Sequence, residues 1–115
     1  MSKRTCSMTC PLYKQPIYFV AGNDEAKTHG LKPKDMWAGY TISRDGSVYI
    51  GVRSRDDYTV GVIAHESVHA AWVILSTAGV NTDCRNNEAM AYLVEWIVNS
   101  AASFFSCDYT WSEDD

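Results

Sequence analysis

Residues 62–71 read Val-Ile-Ala-His-Glu-Ser-Val-His-Ala-Ala, and they hold the residues best suited to chemistry. His65 and His69 are four apart. On a helix that spacing projects both imidazoles from one face, one turn apart. Two such imidazoles match two adjacent corners of a zinc tetrahedron. Glu66 follows the first histidine and points about 100° away from it. It reaches water at the metal without being a ligand, which is the role of the glutamate in His-Glu-x-x-His. Buried polar groups cost free energy unless something pairs with them. A zinc ion is the partner that this pattern calls for.

The elements around the stretch must position it. Pro16 to Gly22 reads as a short strand, and 23–35 as a polar loop holding one helical turn from Asp24 to Thr28. Two β-rich runs in 39–52 flank Asp45-Gly46, a two-residue hairpin signal because both positions tolerate positive φ. Trp37 and Tyr40 stand at its entry. From Asp57 to about Thr77 the pattern is helical and nearly apolar all round, which predicts a buried helix. Asp56 and Asp57 suit its cap and first turn, and Gly79 its stop. A second helix is expected from about Asn86 to Phe105. Met90, Leu93, Val94, Ile97, Ala101, Phe104 and Phe105 gather on one side of it, and Glu88, Tyr92, Glu95 and Asn99 line the other. The expected fold class is α+β: a short hairpin or sheet packed on a buried helix and a second, C-terminal helix. One domain is expected over 1–115, with an irregular arm at 1–15 and an acidic tail at 106–115.

Length and composition narrow the function. The chain has 115 residues and is 46% hydrophobic, enough for one modest core. Its net charge of −4 and its lack of a basic stripe interleaved with aromatics argue against a nucleic-acid partner. The first 35 residues carry six Lys or Arg against three acids, and residues 86–115 carry six acids and neither Lys nor Arg. The basic start lacks the apolar stretch of a signal peptide, and no apolar run is long enough to cross a membrane. A cytoplasmic setting with reduced thiols is expected. Cys6, Cys10, Cys84 and Cys107 are then free thiols, since Cys-x3-Cys with no second tight pair is a poor zinc knuckle.

With His65, Glu66, His69 and the E-x-x-A of Glu88 to Ala91 on the page, the chain resembles the zincin metallopeptidases over about 39–99. Within them it is similar to the gluzincins, whose third ligand is a glutamate on the next helix, and to short metallopeptidase-like proteins common in phage genomes. The resemblance implies a zincin-like domain in which His65, His69 and Glu88 bind Zn2+ with Glu66 as general base. For a phage protein the compartment would be the host cytoplasm. Helix geometry alone leaves the third ligand between Glu88 and Glu95: a close antiparallel return from Asn86 favours Glu95, and an earlier start or a steeper crossing favours Glu88.

The expected activity is zinc-dependent hydrolysis of a peptide or protein substrate, in which Glu66 takes a proton from water and gives it to the leaving amine. The oxyanion needs a donor. Tyr92 is the first candidate or a buttress of a ligand, followed by Tyr58, Tyr109 and His29. Strand 47–52 is expected to offer an edge to extended substrate. Trp72 is read as core beneath the site, and Cys107 or Asp108 as a plug that folds back onto the metal. The competing class is a zinc-stabilised, non-catalytic interaction protein, such as a phage-type effector or anti-defence protein, because so small a chain gains from a metal clip.

Overall fold

Asp45 and Gly46 adopt φ of 52° and 80°, the two positive values of a tight hairpin, and pair Arg44 with Ser47 across it. The computed structural model describes residues 4–111. Its elements are β1 (Thr5–Thr9), β2 (Pro16–Ala21), α1 (Asn23–Thr28), β3 (Gly39–Arg44), β4 (Ser47–Val52), α2 (Val60–Thr77) and α3 (Glu88–Phe105). They form an α+β fold with one four-stranded sheet in the order β1-β2-β4-β3. β2 runs parallel to β4, and both outer pairs are antiparallel.

Two expectations about strands are corrected by this order. Strand 47–52 is interior, because Ile17–Ala21 pair along its second side, so β3 is the edge strand at this end of the sheet and β1 at the other. Part of the supposed irregular arm is β1. Cys6 and Met8 face the core from it, in a run too poor in large apolar residues to read as a strand.

Period-two alternation divides the sheet. Ile17, Phe19, Val48, Ile50 and Val52 face the long helices and are fully buried. Val20 and Tyr40 face the other way, onto Ala26 and Leu31. The Tyr40 ring lies so close over Gly51 that a Cβ there would stand 2.0 Å from it.

α2 starts three residues later than expected. Thr59 caps it, accepting from the Val62 amide at 3.1 Å. Asp57 instead belongs to a 3-10 turn, where it receives both the Arg53 guanidinium (2.8 Å) and the Ser54 hydroxyl (2.6 Å). Gly79 ends the helix as expected, with φ of 78° and the paired bonds from Gly79 to Ser76 and from Val80 to Leu75 of a Schellman stop. The helix is not buried all round. Ile63, Glu66, Ser67, Ala70, Ala71, Ile74 and Leu75 face inward, while Val60, His65, His69 and Trp72 are exposed. α3 buries Leu93, Ile97, Ala101, Phe104 and Phe105, and Glu88, Tyr92, Glu95 and Asn99 are all exposed on its far side.

The tail is only partly a solvated end. Trp111 is buried against Phe105, its indole donating to the Phe105 carbonyl at 2.8 Å. Asp108 lies by Arg55, and the Cys107 thiol bonds the Ser103 carbonyl. These contacts hold both residues at the end of α3, so neither plugs the histidine site; the acidic residues after Trp111 lie outside the described residues. No helix among the described residues is long and apolar enough to cross a membrane.

The hydrogen bond from Arg53, with that from Ser54, holds the Asp57 carboxyl at about 2, below the usual carboxylate value. A depressed folded value contributes stability that is full above the ordinary range near pH 4 and is lost as pH falls toward about 2. Asp57→Asn should therefore lower unfolding stability in urea at pH 6, and the difference from wild type should shrink steadily from about pH 4 to about 2. A difference independent of pH would show that the pair contributes nothing to acid stability.

Candidate functional site

The site forms where α2 crosses the free edge of β3. Gly39 lies at the start of that edge, and a Cβ there would stand 2.6 Å from a Val62 methyl and 3.3 Å from the Glu66 Cγ. Real side chains do not approach so closely, so the helix seats against this strand because the position is glycine. Two residues on, the Thr41 hydroxyl donates to the Glu66 carboxylate at 2.8 Å and lies 3.0 Å from the Glu66 backbone oxygen. Thr41 and Gly39 share a face by strand alternation, and that face is the one α2 covers.

Glu66 is buried, only 8% exposed. A carboxylate so enclosed needs donors to remain charged. Thr41 supplies one, and the His65 ring stands 4.0 Å away. His65 and His69 are exposed, their ring centroids 4.9 Å apart and their planes 70° to one another. All three line one hollow of about 480 Å³, walled also by Trp37, Thr41 and Trp72. Thus the structure brings together His65, Glu66 and His69 as the spacing requires.

It does not bring the remaining candidates to them. Glu88 is the first residue of α3 and exposed, and Glu95 is exposed two turns further on. Among the described residues, no three His, Cys, Asp or Glu side chains are grouped closely enough to hold a metal ion. The reason lies in α3's orientation: its apolar side takes the contact with the core, which turns the Glu88 stripe outward. Tyr92 lines a different hollow, with Leu12 and Trp96. His29 is across the sheet, next to Thr5 and Glu25. Tyr58 packs on Phe105, and Tyr109 is exposed at the tail. None of these four lines the histidine hollow.

The donor set fits zinc in part. Two imidazoles on adjacent turns with open faces suit two corners of a tetrahedron, and the nearby carboxylate is held where it need not ligate. Asn87 and Met90, at the start of α3, line with Trp72 a separate hollow that none of His65, Glu66 and His69 lines. No protein-family model, curated protein or solved structure matches the chain.

Thr41 was not singled out from the sequence. A signal was present, since Gly39, Thr41 and Ser43 form the small, polar face of a strand whose other face is Tyr40 and Ile42. Trp72 is corrected from core residue to wall: it is 55% exposed, and its indole donates to Thr82 at 3.3 Å.

Two substitutions test this seat. Gly39→Ala should destabilise the fold by about 1–3 kcal/mol, the usual scale of overpacking. Thr41→Val, nearly isosteric, should leave the buried Glu66 carboxylate without this donor and cost about 1–3 kcal/mol. Denaturant titration reads both. A Thr41→Val variant as stable as wild type would show that the bond does not hold Glu66.

Proposed function

We propose that the chain is a zinc-dependent peptidase of gluzincin type, with His65 and His69 as ligands and Glu66 as general base. The observation that carries this reading is the buried Glu66 carboxylate, fixed by an edge strand beside two solvent-open imidazoles. Buried carboxylates poised in a hollow are candidates for proton transfer. A zinc ion held there supplies a Lewis acid that acidifies water and polarises a carbonyl.

This chain's own residues account for the rest. Thr41 bonds the Glu66 carboxylate, and Glu66 accepts a proton from the attacking water and returns it to the departing amine. β3 presents its unpaired edge along the hollow. Arg53 bonds the Ala38 carbonyl inward, so strand alternation leaves the backbone groups of Gly39, Thr41 and Ser43 facing outward. An extended peptide pairs with such an edge. Glu88 is the third ligand that the gluzincin resemblance implies. The setting we infer is cytoplasmic.

One observation favours the second reading, a zinc-clipped interaction protein without turnover. Glu88 stands exposed and apart from the histidines, and Tyr92 is in another hollow.

Metal analysis and peptide turnover separate the readings. We expect about one zinc per chain, lost in His65→Ala and in His69→Ala. Glu88→Ala should lower occupancy and Glu95→Ala should not. Glu66→Gln should retain zinc while turnover of a peptide library falls by two orders of magnitude or more. Zinc retained in both histidine variants would remove the site. Equal turnover by Glu66→Gln would remove the mechanism, and zinc binding without turnover in wild type would favour the interaction protein.

A further inference from the structure

The histidine hollow continues into a second one of about 370 Å³, and the two share Trp37, Gly39, His65 and Glu66. The second hollow reaches Met36 and Gly61, while the first ends at Trp72 and Val73. Together they form a groove between α2 and the β3 edge. Gly61 to Val73 corresponds to about 18 Å of helix, the length of about five residues of extended chain.

The walls of this groove are unusual. Met36 is 80% exposed, Trp37 39% and Trp72 55%, so large apolar side chains stand at both ends of the groove, Met36 and Trp72, and where the two hollows meet, Trp37. Isolated exposed apolar residues need no explanation, but a set lining one concave path marks a binding site. Both tryptophans are restrained without a ligand. The Lys34 ammonium lies 5.6 Å from the Trp37 ring centre, and Trp72 is tied to Thr82. Held indoles lose little conformational freedom on binding, which is why tryptophan recurs among the residues that dominate interfaces. No Lys or Arg lines either hollow, so nothing in the groove recommends a phosphate or an acidic segment. The groove therefore offers backbone pairing on one wall and an apolar side-chain contact at each end.

We propose that its occupant is an extended polypeptide segment of about five residues with a large apolar or aromatic side chain on each side of its centre. One side chain rests against Met36 and Trp37, and the other against Trp72. The central peptide bond lies before Glu66. This deepens the peptidase reading and rests on it only for the statement that the central bond is the one cleaved.

The test uses two blocked heptapeptides, acetyl-Ser-Phe-Gly-Ala-Gly-Leu-Ser-amide, whose apolar residues stand about 13 Å apart on one face of an extended chain, and the same peptide with Ser in place of Phe and Leu. Binding to metal-free protein is followed by amide chemical shifts, and cleavage by chromatography with zinc supplied. The apolar peptide should bind at least tenfold more tightly, shifting the amides of Gly39, Thr41 and their neighbours. Trp37→Ala and Trp72→Ala should each weaken it about tenfold with unchanged melting temperature, since both side chains are substantially exposed. Leu12→Ala, in the other apolar hollow, should leave it unchanged. Equal affinity for the two peptides, or full affinity in both tryptophan variants, would overturn the proposal. Selective binding with neither zinc uptake nor cleavage would sink the peptidase reading and leave this one standing. Equal cleavage of both peptides by wild type would do the reverse.

Discussion

The contact of α2 with the β3 edge is the constraint on which the site depends. Gly39 removes the side chain that would hold the helix away, and Thr41 then reaches the Glu66 carboxylate from the strand. Separation by even a methyl group would leave a buried carboxylate without its donor, an arrangement that costs several times an ordinary surface change. The position of Glu66 is therefore set jointly by a strand residue and a helix residue 25 apart in sequence. His65 and His69 need no such partner, because their place on the outer face follows from that of Glu66 by helix geometry alone.

This arrangement gives α2 two unlike sides from a composition that is nearly uniform. Its dry side carries Ile63, Ala70, Ala71, Ile74 and Leu75 together with two polar residues, Glu66 and Ser67. The Ser67 hydroxyl is buried with no hydrogen-bond partner among the described residues, a small local cost accepted beside the site. The wet side carries the histidines and Trp72. Trp72 stands exposed two turns from His65, on the same side as the histidines. The same helix thus carries core residues and exposed imidazoles at adjacent positions.

α3 contributes to the same end by closing the core. Its Phe104 and Phe105 pack on Phe19, and Trp111 adds a ring to that stack. The polar stripe from Glu88 to Asn99 faces outward in consequence. A third protein ligand from this stripe requires the first turn of α3, or the 78–87 connection before it, to come nearer to His69. Asp83 caps the Arg85 and Asn86 amides in that connection, and Asn86 bonds the Asn81 carbonyl, so the segment is tied mainly to itself.

The local features were legible in the residues themselves. The Asp45-Gly46 turn, the Gly79 stop, the span of α3 and the common face of His65 and His69 all follow from short-range rules, because φ preference and the 3.6-residue period act within a few positions. The α+β class followed in turn from the order of those elements. Nothing local distinguished β4 from β3 as the edge, since that was decided by β2 pairing in parallel across a 26-residue gap between Ala21 and Val48. Nor did composition reveal which side of an all-apolar helix is dry. That choice depends on the close seat of α2 on β3 at Gly39 and Thr41, which encloses Glu66, while the packing of α3's apolar side on the core turns Glu88 outward. Long-range pairing and close packing are properties of several segments at once, so only the tertiary structure expresses them.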